Sequence, residues 1–358
     1  MAESGACRIC GRSNVRTAKA LGVCVDCVRT NFPAARPYLE AAHAEARAAF
    51  GLPAKPPRHD PGISCPLCVN HCIIGEGERG FCGLRTVRQG RLVHLAGTPQ
   101  RGLLSWYRDP LPTNCVADWV CDGSRQRGSH NLAVFYESCT ANCLFCQNWH
   151  FRMSSPLRSQ TTSADELASA ANARTFCVCF FGGDPASQMP HALAVSKRLA
   201  ARGVRVCWET AGTMHPKLLD AAVSYSLDTG GCIKFDLKAF DEEVHLALTS
   251  ISNRRTLENF RRAAQRCWER PEPPLVVAST LLVPGYVDAD QVGKIASFIA
   301  SIDPAIPYSL LAFAPNFCMG DLPFTSARLA REAETAARLA GLQNVRIGNR
   351  QLLGLRLA

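Results

Sequence analysis

The sequence predicts an α/β fold, a partial (β/α)6 TIM-like barrel over residues 130–350, preceded by cysteine-rich metal-binding modules. Three observations predict it. Six short apolar runs alternate with helical stretches beyond residue 130, the pattern of βαβ units. The runs are nearly continuous in hydrophobicity, as parallel strands covered on both faces should be. Upstream, cysteines recur in C-x2-C pairs, which is the spacing of metal ligands.

Composition sets the class. With 358 residues and 47% hydrophobic content, the chain has room for one large domain and small modules. No apolar run reaches the roughly 18 residues of a membrane helix. The start, Met-Ala-Glu-Ser-Gly-Ala-Cys7, lacks the charged and apolar regions of a secretory signal, so a cytoplasmic protein without a membrane partner is expected. A reducing compartment keeps the 19 cysteines available for metal rather than for disulfides. The net charge of +10 comes from dispersed arginines and reads first as a basic surface. It also keeps nucleic acid among the candidate partners, although no aromatic-interleaved RNA-binding pattern accompanies it.

The elements follow in order. Residues 1–30 carry Cys7-Arg-Ile-Cys10 and Cys24-Val-Asp-Cys27, a zinc-ribbon-like C-x2-C-x13-C-x2-C module. Two knuckles bring four thiolates to one tetrahedral point, for zinc or a rubredoxin-like iron. Metal would supply the stability that so short a piece lacks. Residues 31–62 form a connector, with an alanine-rich helix over 34–50 broken by Gly51-Leu-Pro-Ala-Lys-Pro-Pro57. Residues 63–129 form a cysteine-rich leader, with Cys65, Cys68, Cys72 and Cys82 spaced C-x2-C-x3-C-x9-C. Four thiolates suit zinc or an auxiliary iron–sulfur cluster equally. Cys115 and Cys121 are either further ligands there or plain thiols.

Strands are expected at 132–136, 176–181, 204–210, 232–237, 275–283 and 308–313. Helices are expected at 164–173, 186–201, 216–223, between 238 and 270, at 288–302 and at 326–340. Cys177, Cys179, Cys207 and Cys232 fall in strands, where a cysteine usually acts as a small buried hydrophobe.

In a parallel barrel, active sites gather at the carboxyl ends of the strands. The polar turns fall there. Cys139, Cys143 and Cys146, spaced C-x3-C-x2-C, follow the first strand. A [4Fe–4S] cluster takes four thiolates, so three on one loop leave one iron open for chemistry. Gly182-Gly-Asp-Pro185, Glu209-Thr-Ala-Gly212, Asp236-Leu-Lys238, Pro284-Gly-Tyr-Val-Asp288 and the loop bearing Cys318 follow the other five strands. A second zinc site joining the triad to Cys177 or Cys179 is the bland alternative. His245 reads as a surface or capping residue before it reads as a base.

These motifs together resemble the radical S-adenosylmethionine superfamily, and within it the pyruvate formate-lyase activase-like and AmmeMemoRadiSam-like group. The C-x3-C-x-aromatic-C motif has Phe145 in its aromatic slot. Cys146-Gln-Asn-Trp149, Glu209-Thr-Ala-Gly212, Asp236-Leu-Lys238, Pro284-Gly-Tyr-Val-Asp288 and the leader Cys65-Pro-Leu-Cys68 to Gly80-Phe-Cys82-Gly-Leu-Arg85 are the other cues. The resemblance covers most of the chain but not the first 30 residues. It implies a [4Fe–4S] cluster on Cys139, Cys143 and Cys146, with S-adenosylmethionine on the open iron. It implies cleavage of the S–C5′ bond by one electron and removal of a substrate hydrogen atom by the 5′-deoxyadenosyl radical.

Residue roles carry over in the same way. Gly182, Gly183, Asp184 and Pro185 match a Gly-Gly-Glu-Pro motif whose backbone receives the methionine amino group, with Asp in place of the usual Glu. Glu209, Thr210 and Asp236 match positions that hold the methionine moiety or a monovalent cation. Lys238 is placed to pair with the carboxylate of S-adenosylmethionine. Phe145 and Asn148 frame the adenine. Cys318 is a candidate catalytic hydrogen donor or substrate contact.

The resemblance also implies an electron donor such as flavodoxin or ferredoxin, and a substrate that is a protein, a peptide or a small molecule. A glycyl-radical activase of a partner protein is the alternative within this class. Activases of the best-known type carry extra cysteines after the triad, whereas here they precede it. Outside the class, the alternative is a non-catalytic zinc-based module that binds nucleic acid or protein.

Overall fold

The computed structural model describes residues 5–113 and 115–354. Its centre is one eight-stranded sheet. The strands are β1 (Leu104–Pro110), β2 (His130–Tyr136), β3 (Thr175–Gly182), β4 (Arg205–Thr210), β5 (Ile233–Asp236), β6 (Val276–Leu282), β7 (Tyr308–Ala312) and β8 (Val345–Gly348). They lie side by side in chain order. Strands β2 to β8 are mutually parallel, and β1 runs antiparallel to β2. The two edge strands β1 and β8 are not paired with each other, so the sheet is open, as a partial barrel is.

The six expected strands are β2 to β7. The two additional ones flank them. β1 escapes an apolar search because Trp106 and Tyr107 are exposed and Arg108 and Asp109 follow. β8 is only four residues long and contains Arg346.

Helices pack between consecutive strands, with starts that the sequence encodes. Ser163 and Glu166 form a reciprocal capping box at Ala164–Ser169. Asp288 caps Ala289–Ala300 through the Gln291 amide, and Ser326 caps Ala327–Leu339 through the Leu329 amide. One apolar core runs from Cys7 to Val345, so the upstream modules share it with the sheet.

The alanine-rich helix spans Phe32–Ala48. It is fastened to the sheet rather than only linking modules. Buried His43 bonds the Leu246 and Ala247 carbonyls, and Asn142 Nδ2 reaches its Nδ1 at 2.9 Å. Asn142 lies inside the Cys139–Cys146 loop. The leader docks against the same region. The Val69 amide donates to Thr213 O at 2.8 Å, and Asn70 Nδ2 donates to Thr140 O at 2.7 Å.

Candidate active site

The turn after β3 builds the floor of the site. Gly182 has φ +104°, and a Cβ there would meet the Tyr136 amide nitrogen at 2.7 Å. A Cβ on Gly183 would lie 2.2 Å from the Ser138 carbonyl oxygen. Only glycine permits this approach. The turn is therefore pressed onto the start of the Cys139–Cys146 loop, where the Gly183 amide donates to Tyr136 O and the Asp184 amide to Ser138 O.

A cavity of about 220 Å³ opens above this floor. Cys139, Cys143, Cys146, Gly182, Asp184 and Lys238 are among the residues that line it. Phe145, Asn148, Gly183, Glu209, Thr210 and Asp236 line it as well, so the loop and three further strand-end motifs converge on one space. Burial pushes the thiol of Cys143 up to about 11 and raises that of Cys139. Thiols so placed ionise readily only against a positive partner such as a metal.

The side chains divide into those engaged by the protein and those left open. Asp184 is fully engaged. Its carboxylate accepts from the Ala186 amide at 2.8 Å, Thr210 Oγ1 at 2.7 Å and the Ala211 amide at 3.2 Å. It ties the β3 turn to the β4 turn, and Thr210 is spent on the same task. Pro185 starts the short helical turn Pro185–Ser187 behind it. Glu209 pairs with buried Lys234 at 3.0 Å. Asp236 pairs with Lys238, whose ammonium also lies 5.7 Å from the centre of the Phe145 ring. Burial opposes the charge on Lys238, but Asp236 and the Cys143 thiol outweigh it and hold its pKa above the ordinary lysine value. Asn148 Nδ2 reaches the Gly182 carbonyl at 3.4 Å.

Four residues depart from expectation. Cys318 is not among the cavity-lining residues. Its amide donates to Leu144 O at 3.0 Å and its side chain packs into the apolar core, because the Phe317 stack on Trp149 turns this loop behind the triad. His245 is buried rather than at the surface, bonds Ile251 O at 2.8 Å, and is held down to about 4 by burial. Tyr286 and Asp288, read as rim residues, face the N-terminal module. The Tyr286 hydroxyl accepts from the Ala18 amide at 3.0 Å and donates to Val23 O at 2.9 Å, and Asp288 pairs with Arg29 at 3.1 Å.

Two cavity residues were missed by sequence reasoning. Arg152 is buried, and its Nε and Nη1 have no partner within the protein. Its Nη2 donates to Asn142 Oδ1 at 3.3 Å, and the two free nitrogens of a buried guanidinium at a cavity call for an anionic ligand. Lys234 is the second, a charged residue inside an otherwise apolar strand. That anomaly within Cys232-Ile-Lys-Phe-Asp236 was the available signal.

The cysteine modules separate by geometry. The sulfurs of Cys7, Cys10, Cys24 and Cys27 all lie within 4.8 Å of one another. Cys7 and Cys27 are 3.8 Å apart and Cys10 and Cys24 3.9 Å apart. A tetrahedron with metal–sulfur bonds of about 2.3 Å has edges of about 3.8 Å, so these thiolates fit a single zinc or iron ion. The Arg12 guanidinium donates to Cys10 and holds its thiol at about 6, already suited to metal binding.

Among the described residues no other set of ligands is this tight. The Cys139–Cys146 sulfurs therefore do not gather as around one ion, alone or with Cys177 or Cys179. A cluster holds its thiolates further apart, because each binds a different iron. Cys65, Cys68, Cys72 and Cys82 also lack single-ion spacing, although burial and their mutual proximity raise the first three. Buried Arg47 lies against the Phe81 ring at 3.5 Å, in a small cavity shared by Cys82 and Cys139. Burial pulls its pKa down to about 9. Cys115 and Cys121 do not join the leader; they pack with Cys232 and Val277 of the sheet.

Residues 133–299 match the Radical SAM superfamily. An isethionate sulfite-lyase activating enzyme of Desulfovibrio desulfuricans is 32% identical over 133 residues, 37% of this chain and 40% of that protein. A pyruvate formate-lyase-activating enzyme of Staphylococcus epidermidis is 27% identical over 200 residues, 50% of this chain and 73% of its own length. The chain spans about 40% of the length of the first curated relatives it matches. A domain of a pyruvate-formate lyase-activating enzyme from Bacteroides vulgatus superposes with a TM-score of 0.40 at 22% identity, covering 48% of this chain and 99% of that one. No helix among the described residues is long and apolar enough to cross a membrane.

Proposed function

We propose that this chain, which carries a Radical SAM superfamily domain, is a radical enzyme whose reaction centre is the cavity between Cys139–Cys146 and the carboxyl ends of β3 to β5. The observation that carries the reading is the composition of that cavity. Three cysteines on one loop, not gathered as around a single ion, line it with a glycine floor, a buried ion pair and a buried arginine that has two free nitrogens.

Cys139, Cys143 and Cys146 would hold a [4Fe–4S] cluster with one iron free. Bound there with S-adenosylmethionine, the cluster supplies the electron that cleaves the S–C5′ bond and so the radical that takes a hydrogen atom. The protein's own residues bind and orient. The backbone of Gly182 and Gly183 lies at the strand end where a methionine amino group would sit. Lys238 and Arg152 offer positive charge to its carboxylate. Phe145 and Asn148 frame the adenine. Asp184 acts through the backbone by locking the two turns together. The Glu209–Lys234 pair closes the cavity on the side of the amino ends of the strands, and a site for a monovalent cation beside Glu209 or Asp236 belongs to the same reading. One zinc in the Cys7–Cys27 module and reduction by a small flavodoxin- or ferredoxin-like protein complete the cofactor set.

Anaerobic reconstitution with iron and sulfide tests the reading. The protein should turn brown and form 5′-deoxyadenosine when reduced with S-adenosylmethionine, and Cys143→Ala should abolish both. A colourless zinc protein that forms none, or a Cys143→Ala protein that still does, refutes it.

The names of the relatives favour one second reading, in which the hydrogen comes from a partner protein. In extracts of cells grown on α-deuterated glycine, deuterium should then enter 5′-deoxyadenosine. Its absence excludes a glycyl target.

A further inference from the structure

The inner face of β2 to β5 is left unfilled toward the amino ends of the strands. Side chains alternate between the two faces along each strand. Those turned outward are large, and Val178, Phe180, Val206, Trp208, Ile233 and Phe235 are at most 1% exposed. Those turned inward are mostly small. Asn131, Cys177 and Arg205 lie side by side in one row of the sheet, and Ala133, Cys179 and Cys207 in another. Barrel interiors are normally filled by layers of Val, Ile and Leu. Here alanine and cysteine stand in those places, and a cavity of about 460 Å³ remains. The loop between β1 and β2 supplies a further wall. It is held across to the far strands, where Trp119 Nε1 donates to Ser309 Oγ at 3.1 Å and Asp118 pairs with Arg346 at 2.6 Å.

The lining decides what the cavity accepts. Tyr107, Phe176 and Phe181 contribute aromatic surface, and the thiols are small and only weakly polar. The carboxylates of Asp109, Asp122 and Glu209 stand against the cations of Arg205 and Lys234. All five are already engaged. Arg205 pairs with Asp122 at 2.6 Å, and Asp109 accepts from the Thr113 hydroxyl. The three protons of the Lys234 ammonium have three partners, Glu209 at 3.0 Å, Cys179 Sγ at 3.0 Å and Cys115 Sγ at 3.2 Å. In a chain of net charge +10, this cavity therefore offers no surplus positive charge. An anion bound in it would lose its water without gaining a counter-charge. An uncharged molecule meets no such cost and gains by burying apolar surface. The volume lies in the range of about 300–1,000 Å³ that small-molecule sites occupy.

We propose that this cavity is a second ligand site, for an uncharged and mainly apolar small molecule, separate from the site proposed for S-adenosylmethionine. Phe181, Glu209 and Lys234 line both cavities, so the two ligands share one wall.

Photolabelling of the full, anaerobically reconstituted chain with benzophenone, in the absence of S-adenosylmethionine, provides the test. Benzophenone is uncharged and aromatic, and its para-carboxylate is the same probe with a negative charge. Labelling by benzophenone should saturate and map by peptide mass spectrometry to residues of this cavity, such as Tyr107, Phe176 and Cys177. The para-carboxylate should label them at least tenfold less. Cys207→Phe, which fills the cavity, should reduce benzophenone labelling there at least tenfold while its zinc content and circular dichroism match the parent. Labelling that does not saturate or maps elsewhere, equal labelling by the carboxylate, or a folded Cys207→Phe protein labelled like the parent overturns the proposal. Should that variant not fold, the mapping and the charge comparison on the parent decide the matter. None of these measurements depends on cleavage of S-adenosylmethionine, so the outcome is independent of the proposed activity.

Discussion

Replacing Lys238 with methionine isolates the contribution of one charge to cofactor binding. The side chain is 11% exposed and its carboxylate partner, Asp236, is 38% exposed. Methionine keeps the length and apolar contact of the stem beside Phe145. Two effects follow, and their sizes differ. A hydrogen bond between charged groups contributes about 1.5–3 kcal/mol. Losing that contact with the carboxylate of S-adenosylmethionine should weaken binding by about 10- to 150-fold, at 1.36 kcal/mol per decade. The cost to folding is smaller. Breaking a fully buried pair costs about 3–5 kcal/mol, but Asp236 is more than a third exposed and can be rehydrated, so about 1–2 kcal/mol is expected. Equilibrium dialysis of S-adenosylmethionine against the reconstituted anaerobic protein measures the first effect, and urea unfolding the second. The iron content should not change, since Lys238 is not a ligand. A dissociation constant within threefold of the parent, with iron intact, would refute the placement of Lys238 against the carboxylate.

Other consequences can be checked independently. The protein should contain one zinc per chain, lost on Cys27→Ser and unaffected by Cys68→Ser, because among the described residues only the N-terminal module has single-ion spacing; two zincs by plasma emission would contradict the geometry. Tyr286→Phe removes the hydroxyl that both accepts from Ala18 and donates to Val23, so the docking of that module should weaken by about 1–3 kcal/mol, read as faster protease cleavage near residue 30. Arg152→Met should weaken S-adenosylmethionine binding at least tenfold, and binding at parental strength would show that its unpaired nitrogens serve another ligand. Stability should also fall with acid. His43, His191 and His245 are held neutral at about 4 by burial and would titrate near 6.5 when unfolded. Each therefore contributes about 3 kcal/mol above pH 6.5, lost as the pH falls from 6.5 to 4 because the unfolded chain takes up the proton first. Unfolding free energies between pH 7 and 5 should show the slope, and His191→Gln, far from any proposed ligand, should reduce it by about a third.

What the sequence reveals about this chain depends on whether a feature is local. β2 to β7 are legible because each is a run of buried residues whose identity does not depend on its neighbours. β1 is not, because its stability comes from pairing with β2 along seven residues rather than from its own hydrophobicity. The Cys139–Cys146 loop and the Cys7–Cys27 module are legible for the same reason as the strands, since their spacing alone brings the thiols together. Arg152, Lys234 and the cavity around Cys207 are assembled from residues on three or more separate segments, and only the register of the sheet makes them neighbours.

The Pro284–Asp288 turn shows the converse error. Its position after a strand matched the rim of a barrel, yet Tyr286 and Asp288 point to the module that precedes the barrel. A turn at the carboxyl end of a strand has two sides, and sequence order does not say which one faces the cavity. Here the N-terminal module claims one side. That side of the turn is therefore not available to the cavity, whose strand-end motifs come from the turns after β2 to β5.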